Sequence, residues 1–318
     1  EEVRDPGNLG TMLRSAAPWT ERIDGFSIMR IGHVSLAVVG HEHGIHGQPD
    51  ERSESISGGF TTAKGSRHLL VIAATEGEPL RVPDAQNVDR GIDRTIAGWS
   101  MWSDEFSYDG PWADDVQRSA LALKLLLFSP TGAIAAAATT SLPENPRGGK
   151  NWDYRFAWVR DLAYTAHAGV GFGLREETHA ALSWMLRTIR ENGPEVRVMY
   201  TLDGGADIGL EKHEVPGWNG IPPVVTGNPA QGQLQLGVYG DLLAICRTYV
   251  EAGNRLDTQT GRLLADVADR KCDLWRREDS GLWGLPEIEH YTSSKVCLLS
   301  TIPIPPNRTK YTMPASAL

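Results

Sequence analysis

The stretch Asn151-Trp152-Asp153-Tyr154-Arg155-Phe156-Ala157-Trp158-Val159-Arg160-Asp161 brings aromatic rings together with two arginines and two aspartates, immediately before a helical pattern begins. A plain surface does not need so many rings, and a plain core does not tolerate so many charges. Rings can cover the C–H faces of a pyranose while Asp and Arg bond its hydroxyls in bidentate fashion. The combination therefore suits a neutral, polyhydroxylated ligand held in a pocket. A buried ionic knot, with Arg160 and Asp161 holding a helix start, explains the same residues without any ligand.

Other segments add groups of the same kind. Asp203, in Tyr200-Thr201-Leu202-Asp203-Gly204, begins a loop that could face a pocket or could simply be closed by an Asx turn. Trp218 and Asn228 lie in the long connection from Glu211 to Gln231, where they either stack on and bond a sugar or pin the loop. The spacing in His41-Glu42-His43-Gly44-Ile45-His46 differs from the helical zinc motif H-E-x-x-H and reads as a polar turn between strands, so no metal is expected. A Gly-rich phosphate loop after a strand and a local Ser-His-Asp arrangement are both missing, which sets phosphoryl and acyl transfer aside.

The string NWDYRFAWVRD is preceded by Thr139-Thr140-Ser141-Leu142-Pro143-Glu144. It is followed by Asp203-Gly204, Gly227-Asn228, Gly232-Gln233-Leu234-Gln235-Leu236-Gly237-Val238-Tyr239-Gly240 and Asp279-Ser280-Gly281-Leu282-Trp283. In this order, from about Trp99 to about Val296, the motifs resemble those of glycoside hydrolase family 15, which holds glucoamylases, glucodextranases and bacterial trehalases. Several long motifs in sequence are far more specific than any one of them.

The resemblance implies an (α/α)6 barrel and inverting hydrolysis of α-glucosidic bonds, with water as nucleophile and no cofactor. Inversion needs one carboxylic acid and one carboxylate about 6.5–9.5 Å apart, so that a water fits between them. The family's acid is the Glu after Trp in D-x-G-x-W-E, and that position here is Gly284. The family's base lies in the second half of the barrel, beyond the matching region. Glu287 is the nearest substitute acid, although it and Glu289 read equally as solvated loop carboxylates. Arg160 and Asp161 match the pair that grips the non-reducing glucose, with Trp152, Trp158 and Trp283 in the same motifs.

Composition agrees with such a role. The chain has 318 residues, 41% of them hydrophobic and 22% charged, which is enough to bury a good core. A formal net charge of −9 argues against nucleic acid as a partner, and no apolar run approaches a membrane span. The beginning, Glu1-Glu2-Val3-Arg4-Asp5, carries no secretory pattern. Cys246, Cys272 and Cys297 are an odd count that reads as reduced packing residues, so a cytoplasmic protein is expected, its oligomeric state left open.

The elements that must position these groups follow from periodicity. From about Phe26 to Trp102, alternation and β-branched residues such as His68-Leu69-Leu70-Val71-Ile72 indicate strands. After Asp114 the period becomes helical, in Val116, Ala120, Leu123 and Leu127, then in Trp158 to Val170, Glu176 to Ile189, Gln233 to Val250 and Gly261 to Trp275. Past Val296 the prolines in Ile302-Pro303-Ile304-Pro305-Pro306 interrupt any helix.

The expectation is a mainly α protein. It has a partial antiparallel β-sandwich over 1–102, a linker over 103–113, an incomplete (α/α)6 toroid with about half its helices over 114–296, and an unrelated, poorly ordered tail over 297–318. The expected function is hydrolysis of an α-glucoside such as a maltooligosaccharide, dextran or trehalose. The alternative is a non-catalytic or degenerate sugar-binding relative that has lost its acid at Gly284.

Overall fold

The computed structural model describes residues 19–23, 26–31, 33–41, 48–50, 55–57, 61–193 and 195–300. The chain divides into two compact units, 1–102 and 103–318, and each is described by itself.

In the first unit, β1 (Trp19–Ile23), β2 (Phe26–Ile31), β3 (Val34–His41) and β6 (Leu69–Glu76) form one antiparallel sheet in the order β1-β2-β3-β6. A separate pair joins β4 (Gln48–Asp50) to β5 (Ser55–Ser57). Register places Ile28 opposite Ala37 and Val39 opposite Val71. Period-two alternation sends these side chains to one face, where Ile28, Ala37 and Val39 are buried and Val71, Leu80 and Val82 pack on them. The antiparallel sheet expected from the alternation is therefore present. His41 ends β3, while His43 and His46 lie outside the described residues.

One part of the strand reading is corrected. Residues Ala85–Glu105 form a 21-residue helix, α1, which runs through the expected sheet region and three residues into the expected linker. Asp84 starts it by accepting the Asn87 amide at 2.8 Å on its carboxylate. Val88, Ile92, Ile96 and Trp99 then recur at helical spacing. Its rings Trp99 and Trp102 meet edge to face with centroids 6.3 Å apart.

The second unit holds α2 (Ala113–Leu125), α3 (Val159–Gly171), α4 (Arg175–Asn192), α5 (Gly237–Glu251), α6 (Thr258–Leu274) and α7 (Thr292–Ser300). Three short antiparallel pairs lie between them: β7 (Leu127–Phe128) with β8 (Ala133–Ile134), β9 (Ala157–Trp158) with β10 (Met199–Tyr200), and β11 (Leu210–His213) with β12 (Val224–Gly227). Helix α3 packs on α4 and α5, and α5 packs on α6 and α7. Their apolar stripes meet in one core that includes Leu162, Met185, Ile189, Tyr239, Leu242, Ile245, Val267 and Leu274. Helical hairpins with long polar connections are the architecture expected from the period change near Trp112. Among the described residues no helix is long and apolar enough to cross a membrane.

The expected start of the tail at 297 is also corrected. Helix α7 continues to Ser300, and Leu298 is fully buried in the main core. Gly240 makes this contact possible, because a Cβ there would stand 2.3 Å from the Cys297 carbonyl oxygen. Residues 301–318 lie outside the described residues. None of the three cysteines forms a disulfide, and complete burial in α5 pushes the Cys246 thiol up to about 12.

Candidate functional site

The aromatic and ionic stretch splits into two jobs. Its first half is a loop clamp. Asp153 is fully buried and its carboxylate accepts two bonds from the Arg155 guanidinium, at 2.9 and 2.8 Å, and one from the Gly227 amide at 3.1 Å. Asn228 completes the clamp by donating to the Asp153 carbonyl at 3.0 Å and accepting from the Ala230 amide. Asn228, expected among the sugar contacts, has its amide engaged in pinning a loop. Trp152 lies on a separate concavity bounded by Asn151, Pro222, Pro223 and Pro229.

The second half enters α3 and presents Arg160 and Asp161 in its first turn. Arg160 Nη1 donates to the Leu282 carbonyl at 2.7 Å and to Gln235 Oε1 at 3.1 Å. Its guanidinium carbon lies 5.6 Å from the centroid of the Trp158 ring, a cation–π distance. The Asp161 carboxylate stands 3.8 Å from Arg160 Nε, and its buried Oδ2 has no hydrogen-bond partner. Burial raises the Asp161 pKa, and the Arg160 charge opposes that rise only in part.

Two adjoining concavities of about 380 and 390 Å³ share Arg160, Tyr164 and Leu282. The first has Asp161 at its edge and Trp283 on its wall; the second takes in Gln235 and Asp241. Trp283 is 83% exposed, an unusual position for a large ring without a packing role. Tyr164 follows Arg160 by four residues on α3 and so shares its face. Asp241 is buried on α5, and desolvation raises its pKa although the Cys297 thiol donates to it at 3.3 Å. Tyr164, Gln235 and Asp241 escaped the sequence reading as site residues. The spacing from Arg160 could have found Tyr164, whereas Asp241 is brought in by the packing of α5 on α3.

Hydrogen bonds knit the late motif to the segment before α5. The Asp279 carboxylate accepts the Leu236 amide at 2.9 Å, the Ser280 amide donates to the Leu234 carbonyl at 2.8 Å, and Gln233 Nε2 donates to the Gly284 carbonyl at 3.0 Å. Gln235 Nε2 in turn donates to Gln233 Oε1 at 3.0 Å. The loop carrying Trp283 is thereby fixed against Arg160. Gly284 has φ +62°, where a side chain is strained, and a Cβ would stand 2.9 Å from Gln233 Oε1.

The remaining expected residues lie elsewhere. Glu287 is exposed, bounds neither concavity, and engages through its backbone carbonyl, which accepts from the Tyr291 hydroxyl; its expected role as substitute acid has no support in this placement. Asp203 is exposed and closed on Thr201, with that bond lowering its pKa, so the turn accounts for it. Trp218 is 57% exposed on a 3-10 turn and bounds neither concavity. Among the described residues no group of three His, Cys, Asp or Glu side chains could hold a metal.

The packed helices, with Arg160, Asp161 and Trp283 brought to one concavity beside them, define a mainly helical protein of the toroid type. The solved structure of a bacterial glucoamylase complexed with acarbose has the same fold, with a TM-score of 0.55 and 15% identity over 89% of this chain and 44% of that one. The sequence profile described as "Glycosyl hydrolases family 15" matches residues 110–300, and the chain belongs to that family. It is similar to the trehalase of Thermoplasma acidophilum, with 32% identity over 80% of this chain and 46% of that protein. Similarity to the trehalase of Mycobacterium tuberculosis is 34% over 67% of this chain and 33% of that protein. The chain thus spans between a third and a half of the length of these curated relatives.

Proposed function

We propose that the pocket around Arg160 and Asp161 takes the glucose unit of an α-glucoside, the site of α-glucosidic hydrolysis in a protein of full family length, while Gly284 leaves this chain without the family's acid. The observation that supports this most is the pairing of a fastened guanidinium with a carboxylate that has an unused buried oxygen, beside the exposed ring of Trp283. An acceptor short of a donor is matched by a sugar hydroxyl, and the ring supplies the apolar face that a pyranose covers. Trehalose is the favoured α-glucoside because the similar curated proteins are named trehalases. Three thiols without a disulfide support a reducing, cytoplasmic setting.

Within this reading Arg160 and Asp161 orient the sugar by its hydroxyls, and Trp283 excludes water from one face. The raised pKa of Asp161 and Asp241 leaves both carboxyls more readily protonated than an ordinary aspartate. Titration of the purified chain with trehalose, maltose and glucose, followed by tryptophan fluorescence, tests the site. Saturable binding that is lost in Asp161→Asn and weakened in Trp283→Ala is expected. Binding unaffected by both substitutions would sink the proposal.

A further inference from the structure

A fourth cavity, of about 500 Å³, shares no lining residue with the Arg160 pocket and is bounded by Arg197, Arg270 and Arg277 with a single carboxylate, Glu195. Glu195 is taken up by an ion pair with Arg270. Arg197 and Arg277 have no carboxylate within ion-pair distance among the described residues, so two guanidinium charges face the cavity region uncompensated in a chain of net charge −9. Like charges gathered at one concavity are unfavourable unless an anion joins them. The first turn of α5, which contributes Tyr239, and the last turn of α6, which contributes Leu274, border the same cavity. Their helix dipoles have opposite sign there, so the guanidinium groups decide the charge preference.

The rest of the lining is polar in a complementary way. Asn192 spends its amide nitrogen on the Thr188 and Gly204 carbonyls, and Gln231 spends its carbonyl oxygen on the Ile208 amide. Asn192 Oδ1 and Gln231 Nε2 remain as one acceptor and one donor for a hydroxylated ligand. A lone inorganic ion would leave most of the volume to water, whereas an ester carrying a hexose-sized body fills a cavity of this class. Guanidinium forks match phosphate oxygens in bidentate fashion. We propose that this cavity binds a phosphate ester of a small polyol, with Arg197 and Arg277 on the phosphate and Asn192 and Gln231 on the hydroxyls.

The cavity shares no lining residue with the proposed glucose pocket, and it is tested apart from that pocket. Calorimetric titration of the whole chain with glucose 6-phosphate is expected to saturate, with affinity falling as salt is raised. Arg197→Gln and Arg277→Gln should each weaken it about tenfold or more, the loss of one charge-assisted bond. Arg247→Gln, which removes an exposed arginine of α5, should leave it unchanged. Glu195→Gln should tighten binding, a gain that misfolding cannot imitate. The proposal is overturned if glucose 6-phosphate does not saturate, if glucose or inorganic phosphate binds as tightly, or if Arg247→Gln weakens binding as much. It is equally overturned if Asp161→Asn abolishes the signal, since the ester would then sit in the other pocket.

Discussion

Gln235, which is 2% exposed, accepts a hydrogen bond on its Oε1 from Arg160 Nη1 at 3.1 Å. Because the same amide donates to Gln233, its carbonyl end is oriented toward the guanidinium and cannot flip without losing both bonds. Arg160 is therefore held in a set position, and Gln235 is the residue that positions it in the pocket.

Removing that support has a measurable consequence. Gln235→Leu keeps the volume but leaves Arg160 Nη1 with the Leu282 carbonyl as its one hydrogen-bond acceptor. A bond to a charged group is worth about 1.5–3 kcal/mol. Urea unfolding is expected to report a loss in that range, and sugar titration a weaker affinity. Gln235→Glu should restore affinity by supplying an acceptor of the same reach. Equal affinity in wild type and Gln235→Leu would show that Arg160 does not need its neighbour.

The raised carboxyls set a pH dependence. Asp161 and Asp241 hold protons more readily in the folded chain than in the unfolded one, chiefly through desolvation. Their contribution is fully present below the unfolded carboxylate pKa and is lost as pH rises through the folded value. Asp241→Asn, which cannot ionise, is therefore expected to be more stable than wild type at pH 7, with the difference shrinking as pH falls toward 4. Thermal unfolding of both proteins across that range measures it; a difference independent of pH would refute the assignment.

Lys271 gives the opposite sign. It is almost fully buried on α6, and desolvation lowers its pKa to about 8. The folded chain releases this proton more readily, so stability is lost as pH falls from the unfolded pKa near 10.5 through the folded value near 8. Lys271→Met should gain stability relative to wild type at pH 7, and the gain should fade by pH 10. Circular dichroism melts at both pH values decide it.

The last turn of α7 belongs to the core. Leu298→Ala removes a fully buried side chain from the cluster formed by α3 to α7 and is expected to cost about 2–5 kcal/mol. Leu299→Ala, at a neighbouring exposed position, is the control and should change stability by less than about 0.5 kcal/mol. Comparable losses would place α7 off the core.

Hydrolysis by this chain is expected to be absent or very slow on maltose and trehalose, measured as glucose released. A positioned general acid is worth about 10²–10⁴-fold, and Gly284 has no proton to give. Gly284→Glu alone is expected to restore little. It places a side chain at φ +62°, and its Cβ crowds Gln233 and Gln235, which must swing aside. Turnover at ordinary enzyme rates that disappears in Glu287→Gln would show that the exposed loop carboxylate reaches the substrate after all.

Periodicity determined the helices, because an amphipathic stripe is written locally; α3, α4, α5 and α6 begin and end within a few residues of the spans that their apolar spacing predicts. The motif order determined the family. It also singled out Arg160 and Asp161, whose adjacency at a helix start needs nothing from the rest of the chain.

Other features were decided only by the tertiary structure. Asp153 and Asn228 have the composition of sugar ligands, yet the folding of the 209–232 segment onto the loop that carries Asp153 turns them into a buried clamp. Conversely Asp241 and Gln235 lie dozens of residues from Arg160 in sequence and reach it because α5 packs on α3. The end of α7 was hidden for a related reason. Its nine residues have no local amphipathic pattern, and the burial of Leu298 depends on the space left by Gly240 in another helix. Local spacing encodes which face of an element is apolar, while the partner that each polar side chain meets depends on contacts distant in sequence, and those exist only once the helices have packed.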